Sequence, residues 1–350
     1  MIPIRNIYFM LSYAWNRLDQ AELVDVSTEQ IETLPDLLAS VLLRGVQRCL
    51  KDGIDRGYKE QLQEGTFVRG RLDLGVSVRR LLLKQARAAC HVDELTSNIL
   101  ANQIVKTTMQ QLTRLPALDP DLRHGLALLV RRLPDVEAIR LSRRDFDRVQ
   151  LHSNNSFYKF LIDICRVVHD GLLVDSANGE YSFRSFIEDE HAMRRLFQHF
   201  VSNLLRHHQD HYEVGNDRFR WNIVAPDSQS DQLMPMMETD ITLRAPGHVV
   251  VIDTKFSQSV FQQRFQKQKL KSEHLYQLFS YLKNLEFKGG DYTNADGILL
   301  YPTTEKAVDF TTTVQGHRMS VRTVDLSQAP QGIRDDLLAL AKPVATLGSA

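Results

Sequence analysis

Residues 238–255 read ETDITLRAPGHVVVIDTK, and this stretch decides how the C-terminal part of the chain folds. The pair Pro246-Gly247 separates two segments rich in β-branched and aliphatic residues, which predicts an antiparallel hairpin with a tight turn. A turn at this pair places Asp240 and Asp253 almost opposite each other. Lys255 lies two residues after Asp253 and therefore on the same face of the strand. We expect three charged groups to converge at one end of an apolar hairpin.

These charges need compensation, because neighbouring carboxylates repel each other and burial adds a desolvation cost. A Mg²⁺ ion supplies it, since the ion accepts carboxylate oxygens, keeps several waters and suits phosphate substrates. Lys255 would lie beside the reacting water, where it helps to orient or deprotonate the water and offsets charge on the phosphate. The pattern predicts metal-assisted hydrolysis of a phosphodiester.

A second interpretation of the Asp253-x-Lys255 triplet is a surface ion pair, which contributes roughly 0–1 kcal/mol. The apolar run 249–252 indicates a central strand and favours the metal site. On the next predicted helix, Gln277 and Tyr281 are four residues apart and share a face. They are either donors for phosphate or for the site carboxylates, or a polar flank of an apolar helix face.

Outward from the hairpin, helical and strand patterns alternate. The predicted elements are a helix over 188–205, strands over 219–224, 237–244 and 249–255, a helix over 273–285 and a strand over 297–301. This order predicts an α/β fold built around a mixed sheet.

The N-terminal part has a different pattern. Apolar residues recur at helical spacing over 31–50, 99–112 and 122–133. Between the first two, the segment 65–74 alternates apolar and polar residues around Gly70, which predicts a short strand pair or an extended loop. A polar, turn-rich stretch over 151–156 indicates a boundary. We expect a mainly helical N-terminal domain over 1–155, with a short β or loop insertion projecting near 62–90, and a second domain over 156–350.

Composition excludes several classes of protein. The chain has 350 residues, of which 43% are hydrophobic, and equal numbers of basic and acidic residues, 43 each, so net charge alone indicates no polyanionic partner. The widely spaced Cys49, Cys90 and Cys165 indicate reduced thiols. The apolar runs are far shorter than the roughly 20 residues of a membrane helix, and the N-terminus lacks an export signal. We expect a cytoplasmic protein without membrane contact.

Two basic clusters are present. Between Phe67 and Cys90 there are six basic residues and one acid, Asp73. The second cluster consists of Arg264, Lys267, Lys269 and Lys271. Each cluster is either a phosphate-contacting surface or a solvated face.

The combination of Asp240, Asp253-x-Lys255 and Gln277-x-x-x-Tyr281 resembles the PD-(D/E)XK nuclease superfamily. Further segments narrow the resemblance to the McrC family, the nuclease subunits of McrBC-type modification-dependent restriction systems. These segments are IPIRNIYFMLSYAW at 2–15, RGRLD at 69–73, LANQIVK at 100–106, METDI at 237–241 and LYQL at 275–278.

The resemblance implies a restriction-endonuclease-like core and an Mg²⁺-dependent DNA endonuclease, with Mn²⁺ as a substitute metal. Catalytic roles are implied for Asp240, Asp253, Lys255, Gln277 and Tyr281. The implied metal ligands are Asp240, Asp253 and the backbone of Thr254. Many superfamily members carry a glutamate on the helix before the core sheet. This chain has Glu188 and Glu190 near the start of that helix and Gln198 in its middle, which makes Glu190 the candidate additional ligand.

The resemblance also implies partners. The N-terminal domain is expected to dock on an AAA+ GTPase ring of McrB type and to stimulate it. Arg69 and Arg71, which flank Gly70, are the candidate stimulating residues, with a solvated hairpin tip as the alternative. The substrate is expected to be double-stranded DNA with modified cytosine, contacted by Arg264, Lys267, Lys269 and Lys271. The chain has no GxxxxGKS/T motif, so we expect it to bind no nucleotide itself.

Two other functions stay open at this point. One is a non-cutting adaptor that binds DNA or bridges the motor with a relic nuclease fold, and the complete set Asp240, Asp253 and Lys255 argues against it. The other is a stand-alone repair nuclease of the same superfamily, which the McrC-like N-terminus disfavours.

Overall fold

The computed structural model describes residues 2–16, 18, 31–66, 68–151, 156–174, 181–184, 187, 189–223, 233–256, 261–264, 267–303 and 307–342, with side chains outside this description at 174, 261–264 and 267–269. The chain divides into two compact units. The helical unit contains Ile31–Arg184. The sheet unit contains the N-terminal residues together with Ser185–Ala350.

The first helix, α1 (Ile4–Ala14), belongs to the sheet unit and not to the N-terminal domain expected over 1–155. Its residues pack against the long helix Glu190–His208, with Tyr13 edge-on to Phe200 at 5.7 Å between ring centroids. The Asn6 amide donates to the backbone oxygens of Leu326 and Gln328, both at 2.8 Å. The two hydrogen bonds of Asn6 join residues more than 300 positions apart, which no local sequence pattern predicts. The predicted boundary at 155/156 also differs from the division into units, because α7 (Ser156–Gly171) belongs to the helical unit.

The helical unit is built mainly from helices, as predicted. They are α2 (Leu34–Asp52), α3 (Leu74–Arg79), α4 (Leu100–Thr113), α5 (Pro120–Arg131), α6 (Arg143–Arg148) and α7 (Ser156–Gly171), with a 3₁₀ turn at Leu82–Gln85. Helix α2 begins where the Thr33 side chain accepts a hydrogen bond from the backbone of Asp36, and α5 begins at Pro120 behind the capping Asp119. The three predicted helical spans correspond to α2, α4 and α5 within two residues at nearly every end.

The projecting segment of the helical unit is a small antiparallel sheet. Its strands are β1 (Gly57–Gly65), β2 (Arg71–Leu72) and β3 (Ala88–Thr96), with β3 in the middle. The predicted strand pair around Gly70 is therefore two strands that each pair with β3 and not with each other. Gly70 has φ +78°, and a Cβ there would lie 2.2 Å from the backbone oxygen of His91. Only glycine allows this close approach. A separate strand pair, β4 (Leu172–Val174) and β5 (Tyr181–Phe183), ends the unit.

The sheet unit contains the remaining strands. They are β6 (Glu213–Gly215), β7 (Arg218–Phe219), β8 (Met237–Glu238), β9 (Ile241–Ala245), β10 (His248–Thr254), β11 (Phe261–Arg264), β12 (Lys267–Leu270), β13 (Asp296–Thr303), β14 (Asp309–Val314) and β15 (His317–Asp325). Six of them form one sheet in the order β14-β15-β13-β10-β9-β6. The pairs β10–β13 and β13–β15 are parallel and the others antiparallel, which confirms the predicted mixed sheet.

Two predicted strands differ from the structure. The strand expected over 237–244 is broken at Thr239-Asp240 into β8 and β9. Two hydrogen bonds to Asp217 hold Thr239 at this break. The backbone N–H of Asp217 donates to the Thr239 hydroxyl at 2.8 Å, and the backbone N–H of Thr239 donates to the backbone oxygen of Asp217 at 3.0 Å. The strand expected over 219–224 ends at Phe219, and Trp221 beyond it donates its indole N–H to the backbone oxygen of Pro235. Val224 lies outside the described residues.

Three long helices complete the sheet unit besides α1: α8 (Glu190–His208), α9 (Ser272–Glu286) and α10 (Pro330–Leu340). Helix α9 packs Leu278, Leu282 and Leu285 into the same buried cluster as Val249 and Val251 of β10. This packing places the odd-numbered side chains of β10 on the α9 side of the sheet.

The cysteines and the described helices bear on the predictions of reduced thiols and of no membrane helix. All three cysteines are buried and unbridged, as expected for reduced thiols. In the part of the chain that the structure describes, no helix combines the length and the apolar character that crossing a bilayer requires.

Candidate functional site

The site lies at the end of the β9–β10 hairpin. The two strands are joined at Pro246-Gly247, and Gly247 has φ +77°, a left-handed conformation that glycine adopts readily. The register runs from His248 opposite Ala245 to Ile252 opposite Ile241. One step further, the same register sets Asp253 against Asp240. Asp240 lies one residue before β9, so this extension of the register agrees with the predicted opposition of the two acids.

Asp240 is tied directly to the end of β10. One oxygen of its carboxylate accepts hydrogen bonds from the backbone N–H of Thr254 at 2.8 Å and from the Thr254 hydroxyl at 2.7 Å. The backbone oxygen of Asp240 accepts a long hydrogen bond, 3.4 Å, from the Gln198 amide on α8. The other carboxylate oxygen of Asp240 has no hydrogen bond to a described group, so half of this half-buried carboxylate is available for a ligand.

Asp253 is almost completely buried, with 1% of its side chain exposed. Its Oδ2 lies 2.9 Å from the Nζ of Lys255, whose side chain is 5% exposed. Neither carboxylate oxygen has a well-formed hydrogen bond to any described group. Burial raises the pKa of Asp253 to about 6; Lys255 opposes this shift and the charge of Asp240 adds to it. An acid in this state gains most from a cation that replaces the missing hydrogen bonds.

Lys255, Gln277 and Tyr281 form a chain of hydrogen bonds that joins β10 to α9. Lys255 donates to Gln277 Oε1 at 2.6 Å, and the Gln277 amide donates to the Tyr281 hydroxyl at 2.9 Å. Burial raises the pKa of Tyr281, so this hydroxyl keeps its proton at neutral pH. The structure brings these three residues together with both acids, and the polar-flank interpretation of Gln277 does not describe its contacts.

Two site residues were missed from the sequence. His274 precedes Gln277 by three positions on α9, and its Nδ1 lies 2.7 Å from the Tyr301 hydroxyl. Burial and the nearby charge of Lys255 lower the pKa of His274 to about 4, so it is neutral at physiological pH. Arg194 lies on α8, and its positive charge opposes the rise in the pKa of Asp253 that burial causes. The i, i+3 and i, i+4 spacings from Gln277 and Gln198 are the signals that point to these two side chains.

Glu190 is not brought to the site. It is the exposed first residue of α8, two turns before Gln198, which corresponds to about 12 Å along the helix axis. Within the described ranges, no group of three or more His, Cys, Asp and Glu side chains is arranged to hold a metal ion. A metal at this site would therefore rely on two carboxylates, backbone oxygen and water.

The two basic clusters differ in what the structure describes. Arg264 and Lys267 face each other in the β11–β12 register and Lys269 faces Gln262, but the side chains of these strands lie outside the description. Lys271 is half-buried immediately before α9.

In the other cluster, Arg69 is exposed next to Gly70. Arg71 forms a 2.8 Å ion pair with Glu60 across the small sheet, with 74% of the Arg71 side chain exposed. The two arginines that were predicted together are thus in different states, since Arg71 has a carboxylate partner within its own sheet.

Comparison with known proteins places the chain in a family. A family model described as McrBC 5-methylcytosine restriction system component matches residues 5–302. A relative from Escherichia coli (strain K12), described as type IV methyl-directed restriction enzyme EcoKMcrBC, is 30% identical over 338 residues, which is 97% of each chain.

Among solved structures, the refined half-complex from the tetradecameric assembly of Thermococcus gammatolerans McrB AAA+ hexamers with bound McrC contains a chain of similar fold. The TM-score is 0.60 at 18% identity, and the match covers 97% of this chain and 76% of that chain. The likeness confirms a mixed α/β architecture of that type. From the family match and the E. coli relative, the chain belongs to the McrBC 5-methylcytosine restriction system component family, as its resemblance to McrC predicted.

Proposed function

We propose that the chain is the DNA endonuclease subunit of a GTP-dependent restriction complex directed at modified cytosine, with a PD-(D/E)XK site at the end of β10. The observation that carries this proposal is the convergence of Asp240, Asp253 and Lys255, with Asp253 buried and its oxygens unsatisfied except for the ion pair to Lys255. Membership of a restriction-system family supports the biological role.

The donor set fits Mg²⁺, with Mn²⁺ as a substitute. Asp253 and the free oxygen of Asp240 are hard anionic ligands, and the backbone oxygen of Thr254 would be the third protein ligand. Glu190 has no place in this set in the described arrangement. When bound, the ion would act as a Lewis acid toward the phosphate and lower the pKa of the attacking water.

The residues of the chain have distinct roles in this reaction. Water attacks phosphorus and loses a proton, one P–O ester bond breaks, and the departing alkoxide takes up a proton. Lys255 is fixed by Asp253 and Gln277, so its ammonium group can stabilise the charge that develops on the phosphoryl oxygens. Tyr281 holds Gln277 in place through its hydroxyl. Because Asp253 and Lys255 are buried, bulk water is excluded around them and the electrostatic contribution of Lys255 is stronger.

DNA contact is assigned to the basic residues on and after the β11–β12 pair. Arg264, Lys267, Lys269 and Lys271 lie within the chain segment that directly precedes α9, the helix that carries Gln277 and Tyr281. Cations along this path would neutralise phosphates next to the cleaved one.

The partner is proposed to be an AAA+ GTPase ring of McrB type, since the similar solved structure contains McrC bound to McrB AAA+ hexamers. The segment 62–90 is the proposed contact. Beside its arginines it exposes large apolar side chains, which suit a protein surface better than DNA. These are Leu62, Val68, Leu72, Leu74, Val78, Leu81 and Leu83. Arg69 and Arg71 would act on the GTPase from this surface.

The function is tested by mixing the purified chain with an McrB-type GTPase from the same organism, GTP, Mg²⁺ and a methylated plasmid. We expect double-strand cleavage that requires every component, and none with Lys255→Ala. Plasmid binding without cleavage would support the adaptor function. Cleavage that needs neither GTP nor the partner would support the stand-alone nuclease.

The role of the 62–90 segment needs an assay without DNA. The double variant Arg69→Ala/Arg71→Ala should reduce stimulation of GTP hydrolysis while the nuclease site stays intact. Normal stimulation by this variant would assign the segment to DNA contact or to a solvated surface.

A further inference from the structure

Arg194 is a half-buried cation on α8 to which the proposed reaction assigns no role. It lies on α8 four residues before Gln198, the residue whose amide reaches the backbone oxygen of Asp240 at 3.4 Å. Residues four apart on a helix share a face, so Arg194 and Gln198 lie on the same side of α8, adjacent to the buried row that includes Phe197 and Val201. The neighbouring Arg195 is exposed and lies about 100° further around the helix.

The electrostatics agree with this placement. Burial raises the pKa of Asp253 on β10 and of Tyr281 on α9, and the positive charge of Arg194 opposes both shifts. Burial lowers the pKa of His274 on α9, and the charge of Arg194 adds to that shift. Three groups from two other elements thus feel the same guanidinium. Arg194 therefore lies near the site, in agreement with its place on the same face of α8 as Gln198.

The other charges of the site have partners. Lys255 is paired with Asp253, and Asp240 accepts two hydrogen bonds from Thr254. Arg194 has no hydrogen bond or ion pair to any residue that the structure describes. The charge of Asp253 lies nearby, but the N–H donors of the guanidinium are not committed to a described acceptor and can bind an incoming anion.

We propose that Arg194 binds the DNA phosphate that is cleaved, through the non-bridging oxygens of that phosphate. The planar guanidinium donates two parallel hydrogen bonds to a phosphate, which a lysine cannot reproduce. One turn further along the same face of α8, the Gln198 amide donates to the backbone oxygen of Asp240. This inference rests on the proposed nuclease function and names a further catalytic residue for it.

The first experiment measures single-turnover cleavage of methylated plasmid by the reconstituted complex with saturating protein, GTP and Mg²⁺. Arg194→Met, which keeps the length and packing of the side chain, should reduce the cleavage rate by about 10²-fold, the usual effect of removing one transition-state donor. Arg194→Lys should recover only part of this loss. Arg195→Ala is the matched control and should cleave within about twofold of wild type.

The second experiment does not depend on cleavage. The salt dependence of duplex binding is measured for the same complexes in Ca²⁺, and Arg194→Met should reduce the slope of log K against log salt by about 1, the value for one phosphate contact. Thermal melting of each variant separates this effect from misfolding.

The outcomes distinguish the two proposals. Arg194→Met that cleaves and binds like Arg195→Ala overturns the role of Arg194 while the nuclease function stands. A reduced salt slope with an unchanged cleavage rate also overturns it, since it would place Arg194 on a flanking phosphate. A wild-type complex that binds DNA without cutting it contradicts the nuclease function, and an unchanged salt slope in that case overturns the phosphate contact as well.

Discussion

Two acid–base pairs in this protein have nearly the same length and very different surroundings. Asp253 and Lys255 are 2.9 Å apart, and their side chains are 1% and 5% exposed. Glu60 and Arg71 are 2.8 Å apart, and their side chains are 51% and 74% exposed. The side chains of the buried pair are removed from water, so each charge carries a desolvation penalty and interacts strongly with nearby charges. The exposed pair is solvated and screened, so it contributes roughly 0–1 kcal/mol.

Burial, and not contact distance, distinguishes the pair at the proposed nuclease site from the pair in the small sheet. In the buried pair the protein accepts an unfavourable charge arrangement that a bound cation would relieve. In the exposed pair both side chains still contact water, so their charges remain accessible to a partner that binds the small sheet. Four predictions test this difference, from the largest expected effect to the smallest.

The largest effect is expected from Asp253→Asn. The change removes the anionic ligand but keeps the shape of the side chain, so cleavage by the reconstituted complex should fall by about 10³-fold, which corresponds to about 4 kcal/mol. The matched change in the exposed pair, Glu60→Gln, should leave the cleavage rate unchanged. Plasmid cleavage over time measures both, and equal rates for wild type and Asp253→Asn would contradict the assignment of the site.

The second prediction concerns pH and the metal-free protein. The pKa of Asp253 is raised from 3.8 to about 6 in the folded chain, so the unfolded chain loses this proton first as the pH rises. The stability from the protonated acid is therefore complete below pH 4 and is lost between pH 4 and 6, by about 3 kcal/mol. Asp253→Asn should lack this decrease.

Melting curves in EDTA at a series of pH values measure the decrease for both proteins. Parallel curves for wild type and Asp253→Asn would show that Asp253 titrates normally. Added Mg²⁺ should raise the melting temperature of wild type more than that of the variant, because the ion binds the folded state.

A smaller effect is expected from Gln277→Ala. This change removes the acceptor that positions Lys255 and leaves the anionic ligands in place, so cleavage should fall by about tenfold with an unchanged Mg²⁺ midpoint. Tyr281→Phe, which loses only the hydroxyl that accepts from Gln277, should have a weaker effect. A shifted Mg²⁺ midpoint in Gln277→Ala would assign this amide to the metal environment instead.

The smallest effect is expected in the exposed pair itself. Arg71→Ala should change the melting temperature by no more than corresponds to about 1 kcal/mol. Gly70→Ala is the contrast in the same segment, since a Cβ would lie 2.2 Å from the backbone oxygen of His91 and the small sheet would have to shift. A larger loss from Arg71→Ala than from Gly70→Ala would show that the exposed pair is structurally important.

Much of the candidate site could be predicted because it depends on local pattern. The Pro246-Gly247 turn and the apolar strands determine the register, and the register determines that Asp240 faces Asp253. Helical spacing likewise determines that Gln277 and Tyr281 share a face. The prediction of these features required no knowledge of residues far away in the sequence.

Other features depend on residues far apart in the chain. The break between β8 and β9 arises from hydrogen bonds between Thr239 and Asp217, and α1 joins the sheet unit through contacts such as those of Asn6 near residue 326. Arg194 and His274 lie near the acids because α8 and α9 both pack against β10. The family resemblance predicts a glutamate near the start of α8, but the axial rise of the helix separates Glu190 from Gln198 and hence from the acids.

The hairpin, its register and the pair of acids with the lysine could be predicted from the sequence, because each follows from neighbouring residues and fixed backbone periodicity. The family resemblance rests on the matching sequence segments. Only the tertiary structure decided which charges are buried, because the burial of a side chain depends on every element packed around it. That burial raises the pKa of Asp253, leaves its oxygens unsatisfied, and separates it from the equally close but solvated pair of Glu60 and Arg71.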